Sequence, residues 1–243
     1  MSGLREISPS NPLHRVGRAP DPWAWPDWAN AAADGTFGNR YDDPLGSYRV
    51  LYAASDRLGA FVEVLARFRP DPHVLKELQD IAGDESDSDR FVPPGQLDIS
   101  WLERRRLGEA TVTGRFADIG HSESLARLRR DLASRIVHFG VHDLDAATIR
   151  LSVPRRLTQE ISRHVYEQTS PSGQRAFDGI SYLSRLGDEF RNWAIFEPVG
   201  DAEEHPLASN YAASVIAVDD PQLQRALEIH GIILVGTRGS TGP

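Results

Sequence analysis

Residues Gly35–Phe68 read GTFGNRYDDPLGSYRVLYAASDRLGAFVEVLARF. Within them Tyr48–Ala54 (YRVLYAA) is rich in β-branched and aromatic residues, which predicts a strand. Ser55-Asp56 then offers an N-cap, and Leu58, Phe61, Val62, Leu65 and Phe68 recur at helical spacing, so a helix with one apolar face is predicted to about Phe68. At about 100° per residue Glu63 falls off that face, beside Gly59 and Ala66. A carboxylate flanked by two small residues leaves room for a group to approach it. Ahead of the strand, Gly35 and Gly38 set Arg40 in a turn-rich segment, and a guanidinium fork matches phosphate oxygens in bidentate fashion.

Outward from this stretch, strands are predicted at 13–17 (LHRVG), 109–113, 179–183, 192–196, 212–218 and 231–235. Helices are predicted over Ser122–Phe139, Arg155–Gln168 and Pro221–Ile229, with a short one at His73–Ile81. Residues 145–151 read ambiguously, and the polar run GDESDSD (Gly83–Asp89) reads as a loop. Strands in clusters with helices between them predict an α+β fold, and one domain over residues 1–243 fits best. DPWAWPDW (Asp21–Trp28) reads as aromatic bulk at a core or rim, with a stacking wall for a ring-bearing ligand as the alternative.

The chain has 243 residues and a net charge of −8, so it has no basic excess for phosphate neutralisation along a nucleic acid, and direct nucleic-acid binding is not expected. No apolar run approaches a membrane span, and MSGLREISPSNPLHRVG lacks the apolar core of a secretory signal, so a cytoplasmic location is expected. With zero cysteines there is no disulfide framework, thiolate metal site or cysteine nucleophile. The glycine-rich nucleotide, HExxH and GxSxG signatures are absent. His138 and His142 stand four apart, but Gly140 lies between them and no third ligand stands out, so no metal is expected. Arg104-Arg105-Arg106 and Arg129-Arg130 read as solvated faces. Self-association is neither required nor excluded.

A second stretch, FDGISYLSRLGDEFRNWAIFE (Phe177–Glu197), holds a strand that ends in Ser184. The ordered set of Arg40 after glycines, the VLYAAS strand, Glu63 on the next helix and the late GISYLS serine resembles the RES domain family, named for its arginine, glutamate and serine. The resemblance assigns those three residues to Arg40, Glu63 and Ser184. Tyr52 matches the family's tyrosine on the strand before the helix, and Arg15 in LHRV resembles its early arginine. It implies an ADP-ribosyltransferase-like fold, with mixed β-sheets around a central NAD cleft and flanking helices. It also implies a toxin of a toxin–antitoxin pair, neutralised by an Xre-like helix-turn-helix antitoxin that covers the cleft. The activities implied are NAD degradation by hydrolysis or phosphorolysis, or ADP-ribosylation of a protein, with NAD as substrate, phosphate as a candidate co-substrate and no further cofactor.

The residue chemistry is compatible with this. Breaking the nicotinamide–ribose bond builds oxocarbenium-like charge, which a nearby carboxylate such as Glu63 favours. Arg40 and Arg15 can face a pyrophosphate, Tyr52 or Tyr41 can stack on nicotinamide, and Ser184 can bond its amide or orient Glu63. On residues alone, Glu63 and Arg67 also suit a surface i,i+4 pair. The sequence departs from the family at Tyr41, where tryptophan is common, and at Asp42-Asp43, which are expected to add negative charge beside the phosphate site. Residues 69–118 read as a longer variable insertion. A non-catalytic NAD- or nucleotide-binding module stays open as an alternative.

Overall fold

The computed structural model describes residues 3–70, 93–198 and 208–236. The expected helix at 73–81 and the acidic run at 83–89 lie outside them. The strands are β1 (Glu6–Ile7), β2 (Leu13–Arg18), β3 (Val50–Ala54), β4 (Gln96–Asp98), β5 (Arg105–Val112), β6 (Phe116–Asp118), β7 (Gly179–Leu183), β8 (Arg191–Phe196), β9 (Ala208–Val215) and β10 (Ile233–Val235). The helices are α1 (Arg57–Leu65), α2 (Ser100–Glu103), α3 (Ser122–Asp131), α4 (Ala133–His138), α5 (Ala146–Leu151), α6 (Arg155–Tyr166) and α7 (Pro221–His230). Eight strands form one sheet in the order β1-β6-β7-β8-β3-β2-β5-β9, and β4 pairs with β10 in a second. In the large sheet only β6 and β7 run parallel. The fold is α+β, as the clustering of strands predicts.

Two predicted boundaries change. The single helix expected over 122–139 is broken at Leu132 (φ −107°, ψ 15°) into α3 and α4. Leu128, Leu132 and Ile136 nevertheless bury in one core, so the apolar spacing runs through a break it cannot report. The stretch read as an insertion at 69–118 contains β5 and β6, which pair inside the large sheet, so its last part is scaffold.

The core has three parts. Helices α3 to α6 cover one region through Leu128, Ile149, Leu157 and Ile161. Helices α1, α2 and α7 share a second, around Phe61, Leu65, Trp101 and Leu223. The third holds Trp23 with Leu51, Phe116 and Trp193. Trp23 is thus the core plug expected of the DPWAWPDW segment, and its indole lies where a side chain at Gly108 would go. Trp28 instead packs at the rim against Phe37 (5.4 Å) and Arg49 (5.6 Å).

What positions the site is a gap in the ladder. β3 pairs with β8 at five positions and β2 with β5 at six, but β2 and β3 meet only at His14 and Ala54. Beyond that point the two strands part. Helix α1 follows β3 directly: the Asp56 carboxylate accepts the Gly59 N–H at 2.6 Å and caps the first turn. Its apolar face then docks Phe61, Val62 and Leu65, each contributing about 1.5–3 kcal/mol by burial.

Candidate functional site

A cleft of about 550 Å³ is lined by both sides of the gap, within the ~300–1,000 Å³ usual for small-molecule sites. β2 supplies His14 and Arg15, β3 supplies Tyr52, and α1 supplies Ala60, Glu63 and Val64. Ala66 and Arg67 extend this wall past the helix end. Arg40, Ser152, Arg155, Tyr182, Arg185 and Asn192 also line it.

Glu63 takes one partner among the described residues. Asn192 Nδ2 on β8 donates to its Oε1 at 2.7 Å. The surface pair with Arg67 does not form. The open space beside Glu63 lies at Ala60 and Ala66 and not at Gly59, where an added Cβ would sit 3.2 Å from both Asp56 and the Phe190 ring.

Arg15 serves the gap itself. Its Nε donates to the Pro22 carbonyl and its Nη1 to the Tyr52 carbonyl, both at 2.7 Å. Where β2 has moved away from β3, a side chain satisfies an acceptor that a ladder bond would have used. Burial pulls the Arg15 guanidinium down to about 10, which still leaves it charged at neutral pH. Arg40 lies between two aromatic faces, 5.2 Å from the centroid of Tyr41 and 4.9 Å from that of Tyr182, and donates to the Ile149 carbonyl.

Tyr52 lines the cleft while its hydroxyl is engaged beneath. It donates to Asp42 Oδ1 at 2.8 Å and accepts the Tyr41 N–H at 2.9 Å. Burial, reinforced by the Asp42 carboxylate, holds the phenol well above its ordinary range. Asp42 is itself raised by burial, an effect its hydrogen bond from Tyr52 opposes. Asp43 accepts the Ser47 N–H at 2.5 Å and pairs with Arg163 at 3.2 Å. The two aspartates are therefore buried struts of the 38–47 loop and do not line the cleft, contrary to the expectation that they crowd a phosphate site.

Two further expectations are corrected. Ser184 is fully buried and does not line the cleft: its hydroxyl accepts the Leu186 N–H at 2.9 Å, and its own N–H bonds the Phe190 carbonyl. The strand ends at Leu183, so the serine is spent on closing the turn to β8. Tyr41 is likewise fully buried, 4.7 Å from Tyr182 between centroids, and supports the wall from behind. Burial pushes its phenol up to about 12. Tyr182, itself buried, lines the cleft in its place, with its phenol raised by burial and then by Glu63.

Arg155 and Arg185 carry no sequence signal that marks them. Arg155 opens α6 and Arg185 sits in the β7–β8 turn, positions where an arginine ordinarily reads as surface. Together with Arg15, Arg40 and Arg67 they make five arginines around the single carboxylate Glu63 among the described lining residues. None of the five forms an ion pair within the described residues. His14 stays neutral near pH 7 because burial lowers its pKa, an effect Glu109 opposes. In a chain of net charge −8 this concentrates positive potential in one concavity.

No curated protein sequence matches this chain. Its fold is similar to a chain in the crystal structure of the M. tuberculosis MbcT–MbcA toxin–antitoxin complex, with a TM-score of 0.50 and 12% identity, covering 94% of this chain and 92% of that one. At that identity the likeness is one of fold. The pattern that defines the RES domain matches residues 12–216, from β2 through the end of β9, and so takes in every strand and helix that lines the cleft. This chain belongs to the RES domain family.

Proposed function

We propose that this protein is a toxin that cleaves the nicotinamide–ribose bond of NAD, with water or phosphate as the acceptor. The observation that carries this reading is the charge layout of the cleft: one carboxylate, Glu63, amid five arginines and the rings of Tyr52 and Tyr182. As the C–N bond breaks, nicotinamide leaves with the electron pair and positive charge develops on the ribose. The Glu63 carboxylate, aimed by Asn192, stabilises that charge. The acceptor oxygen then bonds to the ribose carbon and gives up its proton, leaving ADP-ribose or its phosphate ester. Arg155, Arg185 and Arg67 suit the pyrophosphate and an incoming phosphate, because no carboxylate in the described residues competes for them. Tyr52 and Tyr182 offer flat walls for the rings.

Family membership supports an antitoxin partner, as does the fold's likeness to a chain from a toxin–antitoxin complex. We assign to an Xre-like antitoxin the role of covering the cleft. No helix among the described residues is long and apolar enough to cross a membrane, which is compatible with action on cytoplasmic NAD.

The test is nicotinamide release from NAD by the purified protein, with and without phosphate. Wild type is expected to release it, and Glu63→Gln to do so at least about a hundredfold more slowly. Absence of release by wild type, or equal release by both, overturns the assignment. Labelled NAD added to a cell extract separates the acceptors, since label fixed on a protein would mark ADP-ribosylation instead.

A further inference from the structure

Beside the cleft lies a second cavity of about 430 Å³ at the corner where α1 ends and β4 runs into α2. Arg67, Arg69 and Arg104 line it, with Phe68, Trp101 and Asp98. Arg67 borders both cavities.

Its electrostatics are unbalanced. None of Arg18, Arg67, Arg69, Arg104 and Arg105 forms an ion pair among the described residues. Arg105 lies over the Trp101 ring at 5.2 Å, and its Nε is buried with no acceptor. Burial and then the charges of Arg67, Arg18 and Arg104 lower its pKa, so Arg105 is repelled by three neighbouring guanidiniums. An anion placed among them would relieve that repulsion. Among the described residues the lining has one carboxylate, Asp98, which already accepts the Ser100 N–H at 2.7 Å.

A second observation is independent of charge. Trp101 is 7% exposed and its indole N–H is buried without a hydrogen-bond acceptor. A buried donor left unmade costs about 1–3 kcal/mol, so an acceptor supplied from the cavity would be rewarded. Guanidinium forks from several directions plus one indole N–H suit a group with several oxygens spread around one centre.

We propose that this cavity is a second anion site, distinct from the cleft, which takes the phosphate group of a small phosphate-bearing molecule. Among the described lining residues, the excess of arginines over carboxylates disfavours cations and neutral polar ligands. The proposal does not depend on the reaction assigned to the cleft.

The probe is pyrophosphate, and separately ADP, titrated calorimetrically into the full-length protein at low ionic strength, where screening is weakest. Arg69 and Arg104 are exposed, so Arg69→Gln/Arg104→Gln changes charge without opening the core. This variant is expected to bind pyrophosphate at least tenfold more weakly at one site. The cleft variant Arg155→Gln/Arg185→Gln is expected to retain that site. Pyrophosphate is also expected to change tryptophan fluorescence in wild type and not in Trp101→Phe. Stronger binding of ADP than pyrophosphate would identify a nucleotide, and equal binding a free phosphate species; either supports the site. No pyrophosphate binding by wild type, or unchanged affinity and stoichiometry in Arg69→Gln/Arg104→Gln, overturns it. Nicotinamide release by that variant should stay at the wild-type rate, so failure here and failure of the cleft assignment read out separately.

Discussion

Among the described residues, one side chain directs Glu63. Asn192 is buried, sits on β8 opposite Ala54, and donates its amide N–H to Oε1 at 2.7 Å. Removing that donor frees the carboxylate to rotate, and a misplacement of about 1 Å can cost on the order of a hundredfold in rate. Asn192→Ala is therefore expected to lower kcat for nicotinamide release by about ten- to a hundredfold while KM changes much less. An effect on KM alone would make Asn192 a binding residue. At this scale the sequence was informative where a residue stands in a local pattern. Glu63 lies off the apolar stripe of α1, and Arg15 lies on an early strand; both line the cleft. It misled at Ser184, because strand alternation puts Tyr182 and Ser184 on the same side but cannot tell that the strand has stopped and the hydroxyl has turned to Leu186 N–H.

The 38–47 loop shows how an element can reverse the reading of its residues. Asp42 and Asp43 look like misplaced charge beside a phosphate site. In the fold they are 3% and 2% exposed, and they tie the loop to Tyr52, Asn39, Ser47 and Arg163. At the turn, Gly46 has φ +66° and a Cβ there would lie 2.4 Å from the Gly35 carbonyl, so only glycine lets the two ends of this segment close. Asp43→Ala leaves the Ser47 N–H without its acceptor and Arg163 with only Glu167 and the Ser47 hydroxyl, and is expected to lower stability by about 1–3 kcal/mol in urea unfolding. It should not tighten NAD binding by calorimetry. Tighter binding would show that its charge does oppose the ligand.

At the level of the whole molecule, half-buried histidines set an acid limit. His164 and His14 both have pKa values below the ordinary 6.5, chiefly through burial, against which Asp131 and Glu109 pull upward. A histidine lowered in the folded state binds protons more readily when unfolded. Its contribution is thus present above about pH 6.5 and is lost as pH falls through the folded value. Thermal stability is expected to decline as pH falls below about 6.5, and His164→Gln should make that decline shallower. An equally steep decline in the variant would assign the acid sensitivity elsewhere.

The sequence by itself determined the α+β class, the β3–α1 unit and the family, because local periodicity, capping and the order of short motifs are written in neighbouring residues. Arg15, Arg40, Tyr52 and Glu63, which line the cleft, all stand in those short motifs. Only the tertiary structure decided that β2 and β3 part after a single pairing, which makes the cleft. It also decided that Arg155 and Arg185 join that cleft, and that Ser184, Tyr41 and the two aspartates stand behind it. The physical reason is that a strand's register and a side chain's partner are fixed by segments more than a hundred positions away, as between Glu63 and Asn192, and no local pattern carries that information.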